Sequence, residues 1–175
     1  MPATGGRSEQ KPPIRHEVPT GSDYNTAVSY VIRDFEPGDF DTLWRMDQEC
    51  FPPGISYSKR ELRDFVRGRG SFTLVAINDR EEIEGFIVAH CRGLGHIITI
   101  DVSPGARGSG VGSLLLRTAE DRIRAAGCLA VGLEAAVDNT TALAFYKQHG
   151  YSVIRTWPRY YSNGVDALVL KKNLN

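Results

Sequence analysis

The 175-residue sequence has no surplus of charge. Its 21 basic and 21 acidic residues cancel, which removes the bulk electrostatic pull towards nucleic acid or a membrane surface, so an anionic ligand must be held locally. It has no apolar run near the ~20 residues of a membrane-spanning helix, and its first residues lack the hydrophobic core of a secretory leader. Cysteine is scarce. Cys50, Cys91 and Cys128 are odd in number and far apart, matching neither a disulfide framework nor a zinc spacing. Each is expected as a small buried side chain in a reducing, cytoplasmic setting. His90, His96 and His149 form no metal-type cluster and are expected to be structural or at the surface. No metal is expected, and no internal repeat is present. What remains is 41% hydrophobic content, enough for one domain with a full core.

The most informative stretch runs from Val102 to Leu114. Before it, Ile97, Ile98, Ile100 and Val102 read as a buried strand. After it, Val111, Leu115, Ala119, Ile123 and Ala126 recur at helical spacing up to Gly127, a residue suited to ending a helix. Between the two, Gly108, Ser109, Gly110, Gly112 and Ser113 leave room for a ligand to approach backbone N–H groups at a helix start. Such groups carry partial positive charge, which makes an anion site, above all for a pyrophosphate. No Lys-Ser/Thr pair follows the last glycine, which argues against a P-loop, and the glycine spacing is not that of dinucleotide folds.

Residues 1–29, rich in Gly, Pro, Ser and charge, are expected to be a flexible extension, leaving 30–175 as the domain. A strand near Tyr30 to Phe35 leads to an amphipathic helix through Phe40, Leu43, Trp44, Met46 and Cys50 that closes at Phe51-Pro52-Pro53. Ser58 and Glu61 have capping-box spacing before a short helix. Phe72 to Ile77 and Ile83 to Cys91 read as a hairpin, and His96 to Val102 as the next strand. Past the glycine loop and its helix, Leu129, Val131, Leu133 and Ala135 alternate with Ala130, Gly132 and Glu134, a strand with Glu134 on the face opposite the leucines. Asp138 or Asn139 can cap a helix ending at Gly150, and Tyr151 to Trp157 with Val165 to Leu170 make a second hairpin.

Arg107, Gly110 and Gly112 resemble the Arg/Gln-x-x-Gly-x-Gly/Ala motif of the GNAT acetyltransferases. Leu133-Glu134-Ala135-Ala136-Val137-Asp138-Asn139, then Ala142, Phe145-Tyr146 and Gly150-Tyr151, resemble that family's second block. The resemblance spans about residues 30 to 172 and implies an α/β (mixed α+β) GNAT fold: a central, mostly antiparallel mixed sheet of about seven strands flanked by about four helices. Arg159-Tyr160-Tyr161, Phe51-Pro52 and Tyr57-Ser58 are similar to the N-terminal acetyltransferase branch, especially its RimI type, which acetylates a ribosomal-protein N-terminus. Ala106 and Gly108 depart from the family, whose members often carry bulkier or basic residues there.

Acetyl-CoA is the cofactor this resemblance implies. Main-chain groups of Ile100, Asp101 and Val102 are expected along its pantetheine arm, with the Val102 N–H as oxyanion donor. Arg107, Gly108, Ser109, Gly110, Val111, Gly112 and Ser113 are expected at its phosphates, and Asn139 and Tyr146 farther along. Matched positions imply Glu134 as base and Tyr146 as acid, and Phe51, Pro52, Tyr57, Tyr160 and Tyr161 as contacts to the acceptor. Physical chemistry adds a push towards an α-amino acceptor: its pKa near 8 makes deprotonation about 3 kcal/mol easier than for a lysine. The expected acceptor is a protein or peptide N-terminus, a ribosomal protein included, with neither nucleic acid nor membrane as partner and with a monomer or weak dimer as the working form. Two alternatives stay open: transfer to a small amine or a lysine, and a non-catalytic acyl-CoA-binding module.

Overall fold

The computed structural model describes residues 14–17 and 29–174. The strands are β1 (Ile14–Glu17), β2 (Ser29–Asp34), β3 (Ser71–Ile77), β4 (Ile83–Arg92), β5 (Leu94–Val102), β6 (Ala130–Ala136), β7 (Ser152–Trp157) and β8 (Ala167–Asn173). The helices are α1 (Phe40–Cys50), α2 (Lys59–Arg67), α3 (Val111–Ala125) and α4 (Thr140–Gln148). All eight strands join one sheet in the order β1-β2-β3-β4-β5-β6-β8-β7. This is the expected mixed sheet with one strand more. The extra strand is β1, which lies in the stretch expected to be an extension and pairs antiparallel with β2. Residues 1–13 and 18–28 of that stretch lie outside the described residues.

Two apolar clusters hold helices to opposite faces of the sheet. On one, Leu115, Leu116, Ala119 and Ile123 of α3 pack with Ile87, Ala89, Ile97, Val131 and Leu133. On the other, Leu43 and Met46 of α1 and Leu62 of α2 pack with Val75, Phe86 and Val88. The even residues of β4 therefore serve one cluster and the odd ones the other, the period of two that a pleated strand imposes. A polar clasp reinforces the α3 side: buried Glu120 accepts from Tyr151 Oη at 2.9 Å and from Lys172 Nζ at 2.6 Å. The capping box forms as its spacing predicts, Glu61 accepting from the Ser58 N–H at 2.8 Å and donating its own N–H to Ser58 Oγ at 3.3 Å.

Two expectations are corrected. Leu129 is 77% exposed and precedes β6; only its carbonyl is used, accepting from the Leu174 N–H at 2.8 Å. The alternation carried the strand one residue too far. Cys91 and Cys128 are not separate buried thiols but a disulfide, with a Cα–Cα distance of 6.7 Å, leaving Cys50 as the free cysteine. The cause is tertiary. The tight turn between β4 and β5 sets Cys91 opposite Gly95, and a Cβ on Gly95 would lie only 2.3 Å from Ile123 Cγ2, so the hairpin presses directly on the end of α3, where Cys128 follows.

The bridged residues are 37 apart. For a loop of that size, chain entropy predicts a stabilisation of about 3–4 kcal/mol. Reduction with dithiothreitol should lower the melting temperature by roughly 10 °C, whereas the Cys91→Ser/Cys128→Ser protein should melt at the lower temperature with or without reductant. A melting curve indifferent to reductant in the parent protein would count against the bond.

Candidate active site

The site begins where two strands part. β5 and β6 are the sheet's parallel neighbours, and they pair only through Gly95↔Val131 and His96↔Gly132. Beyond His96 the strands separate. Ser103 donates its N–H to the Glu84 carbonyl at 2.9 Å, and Asp101 and Thr99 stand opposite Phe86 and Val88 of β4. Antiparallel alternation then turns the N–H groups of Ile100 and Val102 towards the side β6 has left. The Val102 carbonyl accepts from Cys50 Sγ at 3.3 Å and Arg107 Nε at 3.4 Å. A register shift opposite Val88 and Ala89 leaves Ile98 as an extra residue in β5, a bulge at the wall of the gap.

At the gap's far end α3 starts at Gly110, whose φ of 88° suits glycine. The first bond into the helix is Leu114 N–H to the Gly110 carbonyl at 3.0 Å. The N–H groups of Val111, Gly112 and Ser113 are thus the unpaired first donors of a fifteen-residue helix. An extended thiol-bearing arm ending in a pyrophosphate fits these features: strand-like main-chain groups along β5 and a ring of N–H donors at α3.

A cleft of about 540 Å³ runs through the gap. It gathers Ile100, Val102, Arg107, Gly108, Gly110, Gly112, Ser113, Asn139 and Tyr146 on the glycine-loop side, and Phe51, Tyr57, Glu134, Tyr160 and Tyr161 at the other end. Four expected residues keep their side chains off this wall. Asp101 is buried beneath it, and Val111 is in the core. Ser109 Oγ donates to the Ala106 carbonyl at 2.6 Å and accepts from Tyr30 Oη, while Pro52 is exposed beside it. Asn139 caps α4, its Oδ1 accepting from the Ala142 N–H at 3.1 Å. The sequence reading missed Ile55, Ile98, Thr99, Phe145 and Gln148, which are among the further residues lining it.

It also misplaced His96, which is neither structural filler nor loose surface. The parallel register sets His96 beside Gly132, two residues before Glu134, and its Nε2 lies 2.7 Å from Glu134 Oε2. The His90 ring stands 5.2 Å behind it, and burial, with His96 next to it, holds the His90 pKa below the ordinary value. Tyr146 is buried between the rings of Phe145 and Tyr151. Burial raises its pKa well above that of a free phenol, so its hydroxyl keeps its proton.

Two loops close over the Glu134 end. The first, between α1 and α2, is gripped from below: Asp47 Oδ2 accepts the Tyr57 N–H at 2.7 Å, and Trp44 Nε1 and Gln48 Nε2 donate to the Tyr57 carbonyl at 3.1 and 2.8 Å. The second, between β7 and β8, carries Tyr160 and Tyr161. The loops are latched together, since the Gly54 carbonyl accepts from both the N–H and Oγ of Ser162, at 3.3 and 3.0 Å. Gly54 has φ of 89°, and a Cβ there would lie 2.8 Å from Asn163 Cβ.

A free strand edge and a helix start that suit an acyl-carrier arm, with a carboxylate–imidazole pair and a protonated phenol in the same cleft, fit an acyl-transfer site of the acyl-CoA type. The family model for the GNAT acetyltransferases matches residues 40–151, and the chain belongs to that family, whose members use acetyl-CoA. It is 33% identical over 152 residues to an uncharacterized N-acetyltransferase of Methanocaldococcus jannaschii, covering 83% of this chain and 93% of the relative. It is 32% identical over 117 residues to N-alpha-acetyltransferase 30 of Schizosaccharomyces pombe, covering 63% and 77%. Among solved structures it superposes on Ard1 from Thermoplasma volcanium with a TM-score of 0.75 and 27% identity over 82% of this chain and 97% of that one. The fold is shared with the ribosomal-protein-S18-alanine N-acetyltransferase of Escherichia coli, at a TM-score of 0.72 and 20% identity over 83% and 94%.

Burial raises the Asp47 carboxyl to a pKa of about 6. An exposed aspartate titrates near 3.9, so the folded protein binds the extra proton between about pH 4 and 6 and loses stability as pH rises through that window. Measured against Asp47→Asn, whose amide does not titrate, the parent protein should lose roughly 3 kcal/mol across the window. Urea melts of both proteins at pH 4, 5, 6 and 7 check this, and a constant difference would return Asp47 to an ordinary pKa.

Proposed function

We propose that this protein transfers the acetyl group of acetyl-CoA to the N-terminal α-amino group of a protein or peptide, in the manner of the RimI-type enzymes. The latch between Gly54 and Ser162 carries this reading. It ties the loop of Tyr57 to the loop of Tyr160 and Tyr161 at the Glu134 end of the cleft, an arrangement suited to gripping an extended chain terminus from both sides. The relatives named for N-alpha-acetylation and for a ribosomal-protein alanine support the same acceptor class.

Acetyl-CoA supplies an activated thioester. The α3 N–H groups and Arg107 would hold its phosphates, the main chain of Ile100 and Val102 would align its arm, and the Val102 N–H would serve as oxyanion donor. Glu134 removes the proton from the acceptor amine, directly or through one water, and His96 orients that carboxylate and shares the proton through its 2.7 Å contact. Tyr146 donates its phenolic proton to the departing sulfur. Tyr57, Tyr160 and Tyr161 flank the acceptor backbone. The cytoplasm is part of the proposal, and so is a working form no larger than a weak dimer.

Acetyl-CoA turnover on peptides with free N-termini, on the same peptides blocked and carrying an internal lysine, and on polyamines and aminoglycosides tests the acceptor class. Activity is expected on free N-termini alone; activity confined to small amines would overturn the reading. Glu134→Gln and Tyr146→Phe should each lower kcat by about 100-fold, and His96→Ala by about 10-fold, with acetyl-CoA affinity unchanged by calorimetry. Full turnover in all three variants would remove the catalytic assignments.

A further inference from the structure

Beneath the cleft floor lies a carboxyl group that acetyl transfer as described above does not use. Asp101 is 1% exposed, and its Oδ1 accepts from Thr99 Oγ1 at 2.6 Å. Its Oδ2 is buried with no hydrogen-bond partner, and Asp101 takes part in no ion pair among the described residues. Arg107, the basic residue nearest in effect, spends its Nε on the Val102 carbonyl. The other titratable groups around it are Asp47, Cys50, Tyr57 and Tyr146, none of them cationic. A carboxylate in such a place keeps its proton, because a buried unpaired charge costs far more than a neutral acid. Burial accordingly raises the Asp101 pKa well above the ordinary value.

The consequence falls on Thr99, which lies on the cleft wall. A threonine hydroxyl has one hydrogen and two lone pairs. The contact runs from the Thr99 hydroxyl to Asp101 Oδ1, which spends the Thr99 hydrogen and leaves its lone pairs to accept. It follows Ile98 and precedes Ile100, at the bulge where β5 faces the gap, and its side chain shares the sheet face of Asp101, the face covered by α1 and the Tyr57 loop. That is the acceptor's side of the cleft, and an amine acceptor brings N–H donors to it.

We propose that Thr99 is a positioning residue for the acceptor amine, held by its hydrogen bond to the Asp101 carboxyl as a fixed acceptor that takes one amine N–H while Glu134 takes the transferable proton. This rests on the proposed amine acetylation but not on which amine is used. The pair of contacts leaves the nitrogen lone pair pointing away from both oxygens, the orientation that attack on a thioester requires.

The test uses whichever amine the parent protein acetylates best, so that a wrong acceptor class shows in the parent protein and a wrong role for Thr99 shows in the variants. Thr99→Val, nearly the same shape without the hydroxyl, should raise KM for the amine about tenfold, a lost hydrogen bond to a polar substrate, with KM for acetyl-CoA unchanged and the melting temperature lowered, since Asp101 Oδ1 loses its partner. Thr99→Ser should restore the parent value. Asp101→Leu should raise the amine KM as Thr99→Val does, and Asp101→Asn, which keeps an acceptor oxygen for Thr99, should recover most of the loss. Infrared difference spectra at pH 7 should show a protonated carboxyl band that Asp101→Asn lacks. An unchanged amine KM in Thr99→Val, an Asp101→Asn protein as impaired as Asp101→Leu, or the absence of that band would overturn the proposal.

Discussion

The whole site depends on a pairing that stops early. Two adjacent parallel strands could remain hydrogen-bonded along their length, yet β5 and β6 keep only the pairs at Gly95 and His96. Each strand stays anchored on its other side, β5 by the long antiparallel ladder with β4 and β6 by that with β8, so the sheet survives the gap. The unpaired backbone of β5 then becomes a binding edge, and the cleft crosses the sheet from the face of α3 to the face of α1 and α2. A continuous sheet would satisfy those same main-chain groups internally and leave nothing to hold an extended ligand.

Chemistry is distributed across this gap by the pleat. Glu134 and His96 lie on the acceptor's face, where a carboxylate and an imidazole within 2.7 Å can share a proton. The glycine loop and α3 lie on the opposite face, where the charge to be met is anionic. Tyr146 reaches the gap from α4, packed among aromatic rings that keep its phenol neutral. In the proposed reaction, base and anion site fall on opposite faces, which keeps the negative charge of the phosphates away from the carboxylate that takes up a proton.

Nearly every element was legible in the sequence because each carries a local signal: alternation for the strands, the Ser58–Glu61 box for α2, and glycine at both ends of α3. The glycine loop before α3 was legible for the same reason, since its signal lies in consecutive residues. What escaped were relations that only pairing creates. His96 and Glu134 are 38 residues apart in sequence and meet through the parallel register. Cys91 and Cys128 meet because a hairpin leans on the end of α3. Thr99 turns towards the cleft from a bulge that no periodicity announces. The β1 strand escaped because four residues among glycine and proline carry too short a pattern to stand out.

The disulfide has a consequence beyond stability. The chain between Cys91 and Cys128 comprises β5, the glycine loop and α3, so one covalent ring encloses nearly all the main-chain groups that face the carrier. The loops that shape the acceptor slot, around Gly54 and around Tyr160, lie outside it, one on either side in the sequence. On the proposed reading, the two substrates are served within one small domain by topologically separate parts: a closed circuit, and open segments that can change in length and composition without disturbing it.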